Sequence, residues 1–233
     1  MPDVFQTPEA YTFVVTYGRS GSTLLQNLLN AIPGYQIRGE NNNALLYLAR
    51  SRHAMLSHPQ LHDLRKTGKP TDPSHPWFGG ELVFPEEYGK ALAEVFIKTV
   101  LRPDPGVRVS GFKEIRFHTE PDHFWLYLNF IHETFPNARF VFNTRNHADV
   151  ARSGWWADRD PASVSATLEK AEALFTAYQR HFPDRCHHVH YDDYVTDHQT
   201  LRPLFAFLGE TWDPRMVEWV MNTRLTHLHS ATD

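Results

Sequence analysis

Three groups of residues in this chain have types and spacing suited to holding anions or moving a proton. The segment Tyr17-Gly18-Arg19-Ser20-Gly21-Ser22-Thr23 packs glycines, a cation and hydroxyls into one short stretch. Glycine permits the tight backbone geometry of a phosphate cradle, and free amides at a helix start, with the positive end of the helix dipole, favour an anion. Arg19 adds a cation, while the hydroxyls of Ser22 and Thr23 cap the helix or bond the anion. The second group is Thr144-Arg145 with Ser153 a little further along; a guanidinium and a hydroxyl together can grip one phosphate. Taken alone, that pair is better read as a surface ion pair and an ordinary helix serine. The third is Glu40, just past Gly39, a carboxylate placed for the rim of the glycine loop, with Lys113 and Arg116 in Val109-Ser110-Gly111-Phe112-Lys113-Glu114-Ile115-Arg116.

These residues meet only if the fold brings them together. Residues 11–16 form a β-branched and aromatic run, which predicts a buried strand. Leu24, Leu25, Leu28, Leu29 and Ile32 then fall at helical spacing until Pro33-Gly34 stops the pattern. The loop therefore joins a strand to a helix, the context that distinguishes an anion site from a simple capping turn. Further strands are predicted at 35–38, 107–112, 139–143 and 187–191. Helices are predicted at 43–52, 85–101, 121–135, 163–182 and 201–208, with one more beginning near Asp149. Strand-helix-strand order implies parallel crossovers. The expectation is a single α/β domain over residues 1–233, three layers deep, with a central, mainly parallel sheet. Arg145 then sits at the carboxyl end of its strand, where open α/β sheets bind ligands, and Ser153 in the early turns of the next helix. Residues 53–82, broken by Pro59, Pro70, Pro73 and Pro76, give no clear order and read as a surface excursion.

Composition narrows the class. Apolar residues make up 41% and charged residues 21%, an ordinary globular balance. Lys plus Arg number 23 against 27 Asp plus Glu, for a net charge of -4, which argues against nucleic acid held on a broadly basic surface. Phosphate recognition must be local. The lone cysteine, Cys186, excludes an internal disulfide and multi-cysteine zinc sites and suits a reducing compartment. No apolar run approaches the ~20 residues of a membrane span. The first ten residues lack the basic start of a secretory signal, so a cytoplasmic location is expected. A Walker A loop is absent, and the strand at 139–143 does not end in the acid that a Walker B strand uses for magnesium.

Together, TYGRSGSTLLQNLLNAIPGYQIRGE, RFVFNTRNHADVARS and HVHYDDYVTD followed by LRPLFAFLGETWDP resemble the sulfotransferase family that uses 3'-phosphoadenosine-5'-phosphosulfate (PAPS). The resemblance runs over about residues 11–215. It implies a P-loop-NTPase-like sulfotransferase fold and transfer of a sulfuryl group from PAPS to a hydroxyl, releasing PAP, with no catalytic metal. On this resemblance Gly18, Arg19, Ser20, Gly21, Ser22 and Thr23 cradle the 5'-phosphosulfate, and Arg145 and Ser153 hold the 3'-phosphate. Glu40 matches the glutamate base of carbohydrate and protein-tyrosine members. Arg19 and Lys113 match cations beside the transferring group, and Arg116 is a further candidate. A saccharide or small-metabolite acceptor is favoured, with residues 53–106 as an excursion at the acceptor site.

The R-K-G-x-x-G loop of many small-molecule members is missing, which points to the carbohydrate-like and bacterial-type branches; two alternatives stay open for that region, Arg224 as a substitute cation or a looser hold on the nucleotide. Two other readings stay open: a P-loop nucleotide kinase-like phosphotransferase and a non-catalytic nucleotide-binding protein. Trp155 and Trp156 read as packing residues. The pairs His188/His190 and His227/His229 read as solvated or core histidines, with no acid visibly beside either.

Overall fold

The computed structural model describes residues 7–223. Its frame follows from a central strand with no exposed face. β1 (Ala10–Val15) is buried almost end to end, so both sides of the sheet must be covered by helices. The chain continues through α1 (Ser22–Ala31), β2 (Tyr35–Arg38), α2 (Ala44–Ser57), α3 (Pro59–Thr67) and α4 (Pro85–Phe96). Next come β3 (Val109–Glu114), α5 (Phe124–Thr134), β4 (Ala138–Thr144), α6 (His147–Ala151), α7 (Pro161–His181) and β5 (Cys186–His190). The last helices are α8 (Tyr191–Thr196), α9 (Arg202–Leu208) and α10 (Pro214–Asn222).

The strands lie in the order β2-β3-β1-β4-β5, and every neighbouring pair is parallel. Alternate residues point to opposite faces. Phe13, Phe112, Phe140 and Phe142 join one core with Tyr127 of α5 and Phe175 of α7. Val14 and Val141 join the other with Leu25 and Leu28 of α1 and Leu204 of α9. The chain leaves β1 toward β2 on one side and later crosses from β3 to β4 on the other. The carboxyl end of β1 is thus the point where the winding reverses and a crevice opens.

The expected α/β architecture holds, with local corrections. Residues 53–82 are not without order: α2 runs on to Ser57, and α3 starts with Pro59 in its first turn, where the missing N–H costs no bond. The helix expected at 85–101 divides into α4 and a π-type segment, Ile97–Leu101. Ser153 is not in the helix after Arg145, because α6 ends at Ala151 and leaves Ser153 extended ahead of the turn Gly154–Trp156. Helices α8 and α10 were not expected from the sequence pattern. Arg224, His227 and His229 lie outside the described residues. Among the described residues no helix is long and apolar enough to cross a membrane.

One close approach fixes the spacing of β1 and β3. Gly111 pairs with Thr12, and a Cβ at Gly111 would lie 1.8 Å from the Thr12 carbonyl oxygen. Backbone cannot yield as a flexible side chain does, so Gly111→Ala is expected to cost about 3 kcal/mol or more. Thermal unfolding should register this as a loss of roughly 6–12 °C; an unchanged melting temperature contradicts the close pairing.

Candidate active site

The loop after β1 is tied to the end of β4 by buried polar groups. Thr16 Oγ1 donates to the Asn143 carbonyl at 2.7 Å and shares a 2.7 Å bond with Ser20 Oγ. The Asn143 side-chain amide donates to the Ser20 carbonyl at 2.9 Å, and its oxygen accepts from Tyr194 at 3.0 Å. Ser20 is fully buried by these contacts, so its hydroxyl supports the loop from beneath. Gly21 caps α1 with φ 77°, and a Cβ there would strike the Tyr191 ring at 2.0 Å. Both facts require glycine.

Arg145 is held from two sides. Its backbone N–H donates to Tyr17 Oη at 2.9 Å, and Tyr17 donates to Glu172 Oε1 at 2.7 Å. Burial first, and then the bond to Glu172, push the Tyr17 pKa up, so the phenol stays a neutral donor. The Arg145 guanidinium donates from Nη1 to the Arg19 carbonyl at 3.1 Å and lies over the Tyr191 ring at 4.5 Å. Its Nε is buried without a partner, an unsatisfied donor that an anion would satisfy. Arg19, at φ 67° in the left-handed region, turns its Nε to Ser153 Oγ at 2.9 Å. Residues expected at opposite ends of one nucleotide are therefore in direct contact.

The carboxylate expected as base is ion-paired. Lys113 Nζ reaches Glu40 Oε1 at 2.7 Å, and Arg116 Nη1 reaches Oε2 at 2.8 Å. Burial pushes the Glu40 pKa up, but the hydrogen bonds and charges of Lys113 and then Arg116 outweigh it, holding the group below the ordinary carboxylate value. Beneath it lies Glu114, fully buried, which no sequence signal had marked. Its carboxylate accepts from the backbone N–H groups of Asn41, Asn43 and Ile115 at 3.0, 3.1 and 2.9 Å and from Arg116 at 3.2 Å. It fixes the turn that follows Glu40.

A cavity of about 270 Å3 brings together Gly18, Arg19, Gly21, Ser22, Thr23, Glu40, Lys113 and Arg145. Ser20 and Ser153 are not among the lining residues: Ser20 is buried under the loop, and Ser153 reaches the site through its bond to Arg19. Lys113 was expected at a strand end; it is the penultimate residue of β3 and buried, not exposed. Trp156 packs in the core and donates to the Gly18 carbonyl at 3.0 Å, whereas Trp155 is half exposed beside Arg19. His188 and His190 both bond Thr144 Oγ1, at 2.8 and 2.9 Å, and His190 has an acid partner the sequence reading did not see, Asp192 at 3.1 Å. Among the described residues no group of three His, Cys, Asp or Glu is placed to hold a metal.

Residues 12–214 match the profile described as the sulfotransferase family. Among solved structures, the chain is similar to the sulfotransferase domain from the Synechococcus PCC 7002 olefin synthase, with 21% identity, a TM-score of 0.59 and coverage of 92% of this chain and 78% of that one. It is also similar to the sulfotransferase domain from the curacin biosynthetic pathway, with 18% identity, a TM-score of 0.52 and coverage of 91% and 77%. At these identities the likeness shows a shared fold. No curated protein matches the sequence.

The ion pairs set a titration that can be read directly. Glu40 stays ionised to lower pH than an unpaired carboxylate, because Lys113 and Arg116 hold its pKa below the ordinary value. Lys113→Met removes the larger of the two opposing partners, so the Glu40 midpoint should rise, and by more than in Arg116→Met. A carbon-detected NMR titration of the Glu40 carboxyl measures both; equal midpoints in wild type and Lys113→Met contradict the pairing.

Proposed function

The chain belongs to the sulfotransferase family, and we propose that it transfers the sulfuryl group of PAPS to a hydroxyl acceptor, leaving PAP. The observation that carries this reading is the single cavity in which a helix-capping glycine loop, Arg145, Lys113 and Glu40 converge. PAPS has a phosphosulfate at one end and a separate 3'-phosphate on the ribose, and so asks for two anion grips.

The loop from Gly18 to Thr23 presents its amides and the positive end of α1 to the phosphosulfate. Arg145, through its orphaned Nε, and Ser153 hold the 3'-phosphate. Arg19, bonded to Ser153 while its own carbonyl binds Arg145, couples the two grips. Glu40 takes the proton of the acceptor hydroxyl as that oxygen forms a bond to sulfur. The bond from sulfur to the 5'-phosphate oxygen breaks, and its electron pair stays on that oxygen. Lys113 and Arg19 neutralise the charge that builds there. Lys113 has three donors, so it can move toward the bridging oxygen while loosening its hold on Glu40. That shift strengthens the base at the moment a base is needed. The proton leaves to solvent from Glu40, whose side chain is 32% exposed. A cytoplasmic setting fits Cys186, a lone buried thiol whose pKa burial pushes up to about 12.

The test is transfer of labelled sulfuryl from PAPS to a panel of hydroxyl acceptors. Glu40→Gln should keep the rise in melting temperature that PAP produces and lose turnover by roughly 100-fold or more. Undiminished turnover in Glu40→Gln overturns the base assignment.

A further inference from the structure

Beside the cavity holding Glu40 and Lys113 lies a second, larger one of about 850 Å3, and Gly18, Ile115 and Trp155 line both. Trp155 stands between them, packed so closely on Gly18 that a Cβ there would lie 2.3 Å from the ring. None of the residues 53–106 lines either cavity. The larger space therefore lies beside the reacting centre, between the middle of α7 and the segment that follows β3.

Its walls have a definite chemistry. Ile115, Pro121, Trp155, Trp156, Ala171 and Leu174 supply apolar surface, enough to take up the body of a ligand of a few hundred daltons. Among the described residues, the charged ones that line it are Arg116, Arg159 and Lys170, with no Asp or Glu. Arg116 is engaged by Glu40 and Glu114. Arg159 rests on the Trp156 ring at 5.1 Å, and neither it nor Lys170 forms an ion pair among the described residues. In a chain of net charge -4, an acid-free, cation-rimmed apolar cavity next to the proposed base is selective for one kind of partner. The phosphate-binding groups Ser22, Thr23 and Arg145 line the smaller cavity and not this one, so the nucleotide's anions are accounted for elsewhere.

We propose that the acceptor is an amphiphilic alcohol: an apolar body seated between Trp155 and Leu174, with a hydroxyl directed to Glu40 and an anionic group meeting Arg159 and Lys170. The inference rests on the sulfotransferase reading and replaces a saccharide with an anionic, largely apolar acceptor. A neutral sugar would leave both cations unmatched and would set its hydroxyls against apolar walls.

The probes are 12-hydroxydodecanoate and its methyl ester, which share chain and hydroxyl and differ in charge, titrated by calorimetry into the PAP-loaded protein. Wild type should bind the acid about tenfold more tightly than the ester, as expected from two solvent-exposed charge contacts. In Arg159→Glu/Lys170→Glu that preference should vanish or invert toward the ester while PAP affinity stays unchanged; both side chains are exposed, so folding is not at risk. Equal binding of acid and ester, failure of both to bind, or an unaltered preference in the double variant overturns the proposal. Loss of PAP affinity in the double variant overturns it too, by assigning the cavity to the nucleotide. If wild type itself fails to bind PAP in the preceding titration, the sulfotransferase reading falls first, and this assignment falls with it.

Discussion

The buried side chain of Asn143 is the point on which the arrangement of the site depends. It is fully buried near the end of a parallel strand, and each of its hydrogen-bonding partners belongs to a different segment: the loop after β1 through Ser20, and α8 through Tyr194. Thr16 adds a bond to the Asn143 backbone. An unmade bond at such a depth costs more than a made one gains, so the loop can take only a conformation that serves all of these groups at once. That conformation turns Ser20 inward, puts Arg19 in the left-handed region and aims its carbonyl at Arg145. The positions of the two cations are thus set by a neutral network beneath them.

Above that network the site solves an electrostatic problem on a mildly acidic protein. Arg19, Lys113 and Arg145 are gathered on one small cavity in which Glu40 is the only lining acid among the described residues. Glu40 is kept ionised by Lys113 and Arg116, and the turn beyond it is held by Glu114 through backbone amides. A carboxylate held by two cations is a weak base, and it becomes a stronger one only when a competing anion draws Lys113 away. On the proposed reading, recruitment of the base is thereby coupled to the presence of the donor.

The sheet, the glycine loop and the strand that presents Arg145 were legible because each is a local pattern: an apolar run, a glycine pair and a helical repeat in immediate succession. What escaped was either short or distant. Helix α6 spans Ala148, Asp149 and few residues more, too few for a repeat to show, so Ser153 was assigned to a helix that had already ended. Pro59 was taken as a breaker although it begins α3. Glu114 carried no signal, because nothing local reveals that the amides of Asn41 and Asn43 will fold over it. The chain of bonds from Arg145 through Tyr17 to Glu172 joins three remote parts of the sequence. His190 gave no hint of Asp192 because the strand ends and α8 begins between them.

The claim at the centre of this account is that the site has two separate anion grips. Calorimetric titration of PAP against AMP, which differ only in the 3'-phosphate, tests it most directly when repeated on Arg145→Ala. The account predicts that wild type prefers PAP by about a hundredfold, the worth of a charge-assisted phosphate grip, and that Arg145→Ala abolishes most of that preference while binding AMP as before. Equal affinity of wild type for the two nucleotides, or a preference that survives in Arg145→Ala, would contradict it.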